Sequence, residues 1–273
     1  MKIAFFDIDG TLTSEKNGTV PESVYESIHI ARSNGNKMFL CSGRCRCHIG
    51  QPFIDLHMDG MICGCGTQII LNESGEIFHH VLPEDEIDIL HDIANRLKID
   101  ILYESSDRIG FDPYSSFRTQ KSQKLVGILS NDFGKIFYDP EENGFSCDKA
   151  CAFTVNSRQA EEMHKSVSAF MTSIDRGDGL YELVPRGLSK ATGIQMVLEH
   201  EHLSKQYAYA FGDSTNDIEM LQFVDHAVVM GNAYPEQLKN YAEYVAPKAS
   251  ENGISIALEH FGFLDPYQIL PTE

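Results

Sequence analysis

Two pairs of aspartates, separated by about two hundred residues, carry the clearest chemical signal in this sequence. Asp7 and Asp9 closely follow a short apolar run, and Asp213 and Asp217 closely follow another. Short apolar runs of this kind are typical of strands that a parallel sheet buries on both faces. If the two strands are neighbours, four carboxylates meet at the carboxyl end of the sheet, where open α/β sheets bind ligands.

Carboxylates gathered in one crevice repel each other, and a divalent cation is the natural means of neutralising them. All-oxygen ligands suit Mg²⁺, so the aspartates predict a magnesium site. An EF-hand does not fit, because its loop needs glycine at the sixth position and Gly10 comes fourth, counted from Asp7. The alternative is that each aspartate merely caps a turn or a helix, but two such clusters after buried-type strands favour the metal site.

Two other residues are candidates for binding an anion in the same crevice. Ser42 comes at the end of a predicted strand, so its hydroxyl and the neighbouring backbone N–H groups would face the crevice. Lys190 is predicted in the first turn of a helix, where the helix dipole disfavours a cation, and an anion is therefore expected nearby. Taken alone, Ser42 is explained as an ordinary turn hydroxyl and Lys190 as a solvated surface lysine. Only together with the aspartates do the two residues favour a binding site. Arg44, two residues beyond Ser42, either faces the crevice or forms a surface salt bridge.

Composition narrows the range of partners. The chain has 273 residues and a formal net charge of −18, which argues against nucleic acids and anionic membrane surfaces as partners. The apolar segment at the N-terminus is far too short for a signal peptide, and no run approaches the ~18 apolar residues of a membrane span. We therefore expect a cytoplasmic protein, and the sequence leaves its oligomeric state open.

Seven cysteines occur in the chain, and two of their spacings are C-x-C rather than the C-x-x-C typical of zinc-binding knuckles. Cysteines that end apolar runs, such as Cys41 and Cys63, behave as small hydrophobic residues. We predict free thiols. A structural metal or a redox sensor is the alternative for the group formed by Cys41, Cys45, Cys47, Cys63 and Cys65.

The pattern of elements predicts an α/β fold with a Rossmann-like, doubly wound parallel sheet as its core. Residues 1–81 and 186–273 alternate apolar strands with amphipathic helices and are assigned to this core. Residues 82–185 have more strands per helix and predict an inserted α+β cap, within which residues 104–148 show no clear elements. The predicted strands are 3–6, 38–41, 61–63, 69–71, 77–79, 101–103, 150–155, 172–174, 180–184, 207–211, 227–230 and 244–246, and the predicted helices are 21–34, 83–98, 159–170, 189–200, 216–223, 235–241 and 251–258.

The candidate residues resemble, in their order along the chain, the four motifs of the haloacid dehalogenase (HAD) superfamily of phosphatases. The insertion between the second and third motifs is similar to the type IIB cap of the Cof-like subgroup. Residues 230–233 also resemble that subgroup's loop after the fourth core strand. The segments that carry the four motifs are Asp7-Ile8-Asp9-Gly10-Thr11-Leu12, Ser42, Lys190, and Gly212-Asp213 through Asn216-Asp217.

The resemblance implies a phosphatase that works through an aspartyl-phosphate intermediate. Asp7 would be the nucleophile that attacks phosphorus. Asp9 would protonate the leaving group and then deprotonate the hydrolytic water. Mg²⁺ would be held by Asp7, Asp213, the backbone carbonyl of Asp9 and Asp217, the last directly or through water.

Contacts to the substrate follow from the same resemblance. Ser42 and Lys190 would stabilise charge on the transferred phosphoryl group. Gly43, Arg44 and Asn216 are further candidates for substrate binding. A cap that closes over a buried phosphate suits a small phosphorylated metabolite, and a sugar phosphate is the expected substrate.

Two other functions are compatible with the same motifs. A phosphomutase forms the same intermediate but returns the phosphoryl group to its substrate, and mutases of this superfamily usually have a smaller, helical cap. A phosphate-binding regulatory module would keep the fold without turnover, although both Asp7 and Asp9 are present. The chain also departs from the Cof-like pattern at Cys65-Gly66, where relatives often have Asn-Gly on the substrate side.

Overall fold

The computed structural model describes residues 1–112, 115–133, 137 and 144–265, which form two β-sheets and their helices. The strands are β1 Ile3–Phe6, β2 Lys37–Cys41, β3 Gly60–Cys63, β4 Gln68–Leu71, β5 Gly75–His79, β6 Asp100–Glu104, β7 Ile109–Phe111, β8 Lys149–Phe153, β9 Met171–Asp175, β10 Leu180–Pro185, β11 Ala208–Gly212, β12 His226–Met230 and β13 Tyr244–Ala246. The α-helices are α1 Glu22–Ser33, α2 Gln51–Ile54, α3 Glu84–Leu97, α4 Gln120–Phe133, α5 Ser157–Val167, α6 Lys190–His200, α7 Ile218–Phe223 and α8 Gly253–His260. In these described ranges, no helix has both the length and the apolar character needed to cross a membrane.

The larger sheet places the carboxyl ends of its central strands side by side. Its order is β13-β12-β11-β1-β2-β3-β4-β5. The first six strands in this order are parallel, and β4 and β5 add an antiparallel hairpin at one edge. Phe6 of β1 lies opposite Phe211 of β11 on one side and Leu40 of β2 on the other. The predicted Rossmann-like parallel core is therefore confirmed, with β1 near its centre.

Helices cover both faces of the larger sheet because its central strands are apolar on both sides. β1 and β11 are buried along their whole length, and the rings of Phe6 and Phe211 stack with centroids 4.5 Å apart. α1 and α8 contribute to the apolar cluster on one face, and α6 and α7 contribute to the cluster on the other. The strand ends are thereby held in fixed positions, and the loops after them can carry function.

The smaller sheet lies between β5 and α6 in the chain and is antiparallel throughout, in the order β7-β6-β8-β10-β9. α3 and α5 cover one of its faces through an apolar cluster that includes Leu90, Ile101, Ala152 and Met163. Successive side chains of a strand point to opposite faces. The opposite face therefore carries the alternate residues of β6, β8 and β10, which are Leu102, Glu104, Lys149, Cys151, Leu180 and Glu182. Leu129 of α4 packs against the apolar part of this face, in one cluster with Leu102.

Every predicted strand and helix has an observed counterpart, and the differences lie mainly at their ends. The segment Glu236–Tyr241 is a 3₁₀-helix in which only Leu238 is buried, and such tight turns are common in short pieces with little to pack against. The predicted helix at 216–223 is divided into a 3₁₀ turn and α7. The unassigned span 104–148 contains β7 and α4, and part of it lies outside the described residues.

Candidate active site

Three carboxylates meet at the carboxyl ends of β1 and β11. Asp7 comes directly after β1 and Asp213 directly after β11, while Asp217 ends the short helical turn that follows. One oxygen from each of the three lies within 4.8 Å of the others, and Asp7 and Asp217 are buried. In the described part of the chain, no other group of acidic, histidine or cysteine side chains is close enough to hold a metal ion.

Hydrogen bonds within the two loops fix the carboxylates. The backbone N–H groups of Asp213 and Ser214 both donate to Oδ2 of Asp217, each at 2.9 Å. Thr11 Oγ1 donates to Oδ1 of Asp213 at 3.1 Å, which joins the loop after β1 to the loop after β11. Gly10 passes so close that a Cβ atom there would lie 2.2 Å from Oδ2 of Asp213, and its φ of +85° also favours glycine.

Lys190 lies among the carboxylates. Its Nζ donates to Oδ1 of Asp7 and, at 2.6 Å, to Oδ1 of Asp217. It is the first residue of α6, where Ser189 forms a capping box with Thr192 and so fixes the start of the helix. Burial acts to lower the pKa of Lys190, but Asp217 and Asp7 more than reverse this effect and keep the ammonium charged.

The carboxylates carry more negative charge than Lys190 balances. Burial raises the pKa of Asp7 to about 7, and Lys190 offsets that effect only in part. Burial, followed by the charges of Asp7 and Asp217, raises the pKa of Asp213 to about 8. Hard oxygen donors with unbalanced negative charge are the ligands that a divalent cation such as Mg²⁺ prefers. The residues present therefore fit a divalent metal site.

Asp9 lies at the edge of the same crevice in a two-pronged ion pair with Arg44. Arg44 donates from Nε to Oδ2 of Asp9 at 2.8 Å and from Nη2 to Oδ1 at 2.6 Å. Burial acts to raise the pKa of Asp9, but the hydrogen bonds and charge of Arg44 outweigh it and hold this pKa below its ordinary value. The two alternatives for Arg44 both hold, because it forms an ion pair and also lines the crevice.

Ser42, Gly43 and Asn216 line one cavity of about 250 Å³ together with the aspartates of the first motif. Ser42 is buried directly after β2, and its Oγ accepts a hydrogen bond from the backbone N–H of Arg44 at 3.1 Å. A Cβ atom on Gly43 would lie 2.7 Å from Oε1 of Glu182, so glycine allows the smaller sheet to approach this loop. The structure thus brings all the predicted site residues into one crevice.

The opposite wall of the cavity contains charged residues that the sequence interpretation missed. Glu104 of β6, Lys149 of β8 and Glu182 of β10 face it from the smaller sheet, and Arg176 lies in the loop after β9. Lys149 Nζ donates to Oε2 of Glu104 at 2.7 Å and to Oε1 of Glu182 at 2.8 Å. No clear signal in the sequence pointed to them, because Glu104 and Lys149 lie just outside the predicted strands 101–103 and 150–155 and a single charged residue such as Glu182 is more often exposed than buried.

Asn232, in the loop after β12, contacts the loop that carries the first motif. Its Nδ2 donates to the backbone carbonyl of Gly10 at 2.7 Å, and its Oδ1 accepts from the backbone N–H of Ala249 at 3.0 Å. The residue therefore ties the first-motif loop to the far end of the larger sheet. The resemblance of residues 230–233 to the Cof-like pattern pointed to this loop without giving Asn232 a role.

The seven cysteines are free thiols, as predicted. Cys65 is buried at a φ of +55° and donates from Sγ to Oε1 of Glu182 at 3.3 Å. Burial, followed by the charge of Glu182, raises the pKa of the Cys65 thiol well above its ordinary value. At the position where Cof-like relatives often have asparagine, this chain therefore presents a neutral thiol to the smaller sheet.

Comparison with known sequences agrees with the geometry. The chain matches the family model of the haloacid dehalogenase-like hydrolases over residues 4–258. It is 30% identical over 271 residues to YkrA of Bacillus subtilis, which carries a phosphatase name, and the match covers 96% of this chain and 98% of that protein. It is 25% identical over 266 residues to a protein of Streptococcus pyogenes named as a bifunctional phosphatase/peptidyl-prolyl cis-trans isomerase, and there it covers 97% of this chain but only 55% of the relative.

Solved structures share the fold. A haloacid dehalogenase subclass IIB sugar phosphatase superposes with a TM-score of 0.83 at 24% identity, over 96% of this chain and all of that one. A phosphatase of the same superfamily from Bacteroides thetaiotaomicron superposes with a TM-score of 0.84 at 22% identity, over 96% of each chain. The chain therefore belongs to the haloacid dehalogenase-like hydrolase family. It is a phosphatase of the HAD type, with a Rossmann-like core and an inserted cap.

Proposed function

We propose that this protein is a Mg²⁺-dependent phosphatase that hydrolyses small sugar phosphates through an aspartyl-phosphate on Asp7. The observation that carries the proposal is the position of Lys190, whose ammonium group donates to both Asp7 and Asp217 beside a cavity that Asp7, Asp9 and Ser42 line. A buried cation against the nucleophile lowers the repulsion that an anionic phosphate ester would otherwise meet. Ser42 adds a hydroxyl at the same place for the transferred phosphoryl group.

In the first step an Asp7 carboxylate oxygen attacks phosphorus, and the bond between phosphorus and the leaving-group oxygen breaks. Asp9 gives its proton to that oxygen. In the second step Asp9 takes a proton from water, which attacks the aspartyl-phosphate and releases inorganic phosphate. Lys190 remains charged throughout and offsets negative charge on the phosphoryl oxygens.

Asp9 acts as a proton donor only when its carboxyl group is protonated, whereas Arg44 favours the ionised form. We infer that the phosphate of the substrate draws Arg44 away from Asp9, because a guanidinium group binds phosphate in the same two-pronged way that it binds a carboxylate. Arg44 would thus hold Asp9 ionised in the empty enzyme and contact the phosphoryl group in the complex.

The metal would be held by Asp7, Asp213 and Asp217 together with the backbone carbonyl of Asp9. When bound, it supplies positive charge to the phosphoryl group and to the carboxylates around it. We assign magnesium because the donors are all hard oxygen atoms. Asn216 and Gly43 would contact the substrate next to this site.

The preference for sugar phosphates is supported by the small volume of the cavity. Drug-sized ligands occupy pockets of about 300–1,000 Å³, and the cavity here is about 250 Å³. We place the core at residues 1–81 and 186–273 and the cap at residues 82–185, so that the face of the smaller sheet that carries Glu104, Lys149 and Glu182 closes this cavity. A phosphorylated side chain on a folded protein would not fit under such a cap.

The test is steady-state hydrolysis of a panel of phosphorylated metabolites by the wild type, Asp7→Asn and the control Asp88→Asn, whose residue is exposed on α3. Asp7→Asn removes the anionic nucleophile and is expected to abolish turnover, while Asp88→Asn is expected to match the wild type. Excess chelator should stop the wild-type reaction, and Mg²⁺ should restore it. Normal rates for Asp7→Asn, or covalent labelling by phosphate on Ser42 rather than Asp7, would refute the mechanism.

A further inference from the structure

The face of the smaller sheet that carries Glu104, Lys149 and Glu182 forms the part of the cavity that a leaving group would occupy. Leu102, Ile109 and Leu180 supply apolar surface there, and the polar groups come from the charged residues of β6, β8 and β10 and the loop after β9. Asp7 and Ser42 lie on the opposite wall, which belongs to the larger sheet. A phosphate ester bound at Asp7 would therefore direct its leaving group towards the smaller sheet.

Most hydrogen-bonding capacity on this wall is already used within the protein. Glu182 is buried, and its Oε1 accepts from Lys149 at 2.8 Å and from Cys65 at 3.3 Å. Its Oε2 accepts from Asn216 at 3.1 Å. Lys149 in turn donates to both Glu182 and Glu104. Glu182 and Lys149 are therefore framework residues of the wall, with little capacity to bind a further ligand.

Two groups on the wall retain unused capacity. Nη1 of Arg176 is buried and has no hydrogen-bond partner among the described residues, and its nearest carboxylate is Oε2 of Glu182 at 3.8 Å. Glu104 is buried, and both hydrogen bonds recorded for its carboxylate, from Lys149 and from Cys151, go to Oε2. A buried N–H group without a partner is costly, so the Arg176 donor is expected to be satisfied when a ligand binds.

We propose that Arg176 and Glu104 are the residues that determine specificity for the leaving group, and that they recognise a neutral group with several hydroxyls. This inference rests on the proposed phosphatase function. Nη1 of Arg176 donates to the oxygen of one hydroxyl, and the second carboxylate oxygen of Glu104 accepts the proton of another. A hydroxyl both donates and accepts, so a sugar can satisfy the two residues at once.

The charges that line the cavity argue against a second anionic group on the substrate. Four carboxylates line it, which are Asp7, Asp9, Glu104 and Glu182, and the cations that line it are Arg44, Lys149 and Arg176. Each of these cations already faces a carboxylate of the protein. No surplus positive charge is therefore left on this wall to attract a carboxylate or a second phosphate.

The experiment compares kcat/KM for hexose 6-phosphates with kcat/KM for para-nitrophenyl phosphate, whose leaving group has no aliphatic hydroxyls. Arg176→Gln and Glu104→Gln are each expected to lower the ratio of the two values about ten- to hundredfold, the effect of losing one hydrogen bond to a charged group. Arg158→Gln, a substitution on the exposed side of α5, serves as the matched control and should leave the ratio unchanged. Arg176→Lys retains the positive charge but lacks the two-pronged guanidinium group, and it should give an intermediate ratio.

Substrates that lack single hydroxyl groups distinguish lost recognition of the leaving group from misfolding of the variant. In the wild type, removing the hydroxyl that Arg176 contacts should lower kcat/KM, and in Arg176→Gln the same removal should have much less effect. A variant that is merely misfolded would lose activity equally on all substrates and at every deoxy position.

Three results would overturn the proposal. An unchanged ratio in both variants, with aryl phosphate still hydrolysed, would refute the subsite but leave the phosphatase mechanism intact. A wild-type preference for 3-phosphoglycerate over hexose phosphates, lost in Arg176→Gln, would show that Arg176 binds a second anion. A wild type that hydrolyses no phosphate ester in Mg²⁺ would refute the proposed function and the subsite together.

Discussion

Asp9 and its partner Arg44 form the most exposed charged pair of the site, which makes the role of Asp9 directly testable. Asp9→Asn keeps the size of the side chain but removes its capacity to transfer a proton. We expect kcat to fall about 10²–10⁴-fold, the usual contribution of general acid–base catalysis. Rates measured with sugar phosphates and Mg²⁺ provide the check.

The chain offers a matched control for this substitution. Asp107 also forms a close ion pair with an arginine, Arg108, but it does not line the active-site cavity. Asp107→Asn should therefore retain wild-type kcat. A loss of similar size in both variants would show that the ion pairs matter for stability rather than for proton transfer.

Glu182 gives a second prediction at the level of a single residue, and it concerns pH. Burial acts to raise its pKa, but the charges of Lys149 and Arg176 outweigh burial and bring the pKa to about 2, below the ordinary value of 4.5. A depressed pKa stabilises the fold at pH values above 4.5, and this stabilisation is lost as the pH falls from 4.5 towards 2. Glu182→Gln should therefore lower the free energy of unfolding by about 3 kcal/mol at neutral pH and by less in acid.

Urea unfolding of the wild type and Glu182→Gln at about pH 7, pH 5 and pH 3.5 measures this difference. The two higher pH values should give nearly the same difference, and the lowest should give a smaller one. Glu161→Gln, at an exposed position of α5, is the control and should show no such trend. A constant difference at all three values would contradict the low pKa of Glu182.

At the scale of elements, the start of α6 positions Lys190. Ser189 accepts a hydrogen bond from the backbone N–H of Thr192, and Thr192 Oγ1 accepts from the N–H of Ser189. Ser189→Ala removes half of this capping box and should destabilise the protein by about 1 kcal/mol. The loosened first turn should also misplace the Lys190 ammonium and reduce kcat, which thermal unfolding and kinetics together can measure.

Another helix provides the control for this effect. Asn156 caps α5 by accepting a hydrogen bond from the backbone N–H of Gln159 at 2.9 Å, away from the carboxylates. Asn156→Ala should cost a similar amount of stability and leave kcat close to that of the wild type. Equal loss of activity in both variants would mean that the kinetic effect reflects stability alone.

The elements also explain which parts of the molecule the sequence could predict. β1 and β11 are fully buried, so each reads as an uninterrupted apolar run with aspartates just after it, and both the parallel core and the carboxylate crevice follow from that pattern. The predicted helix 189–200 likewise matches α6, which begins at Lys190. These features depend on residues that are close together in the sequence.

The wall opposite Asp7 could not be predicted in the same way. Glu104, Lys149 and Glu182 lie on three strands that pair only in the folded sheet, in the order β6-β8-β10. A single charged residue in a short strand is more often exposed than buried, so no one of them stands out in the sequence. Their significance comes from the cross-strand contacts, which depend on register.

At the scale of the whole molecule, the prediction concerns the division between core and cap. If residues 82–185 form the cap, deleting them should remove discrimination among phosphorylated metabolites more than it reduces hydrolysis of para-nitrophenyl phosphate. The reason is that the residues proposed to contact the leaving group lie on the deleted sheet or in its loops, whereas Asp7, Asp213, Asp217 and Lys190 lie in the retained core.

Circular dichroism and thermal unfolding of the shortened chain should first establish that the larger sheet still folds. A shortened chain in which β5 is joined to α6 by a longer flexible linker is the control for strain at the junction. If a folded core loses both activities to the same extent, the cap does not set specificity.

β1 and β11 are neighbours in the sheet although they lie far apart in the sequence, and this separation affects folding during synthesis. β1 is synthesised first, yet its partner β11 follows about two hundred residues later, and the whole smaller sheet is encoded between them. Contacts that close such long loops form late and slowly. During synthesis on the ribosome, β1, which directly precedes Asp7, therefore keeps one edge unpaired until β11 emerges, and the nascent chain is open to aggregation at a strand that is fully buried in the folded protein.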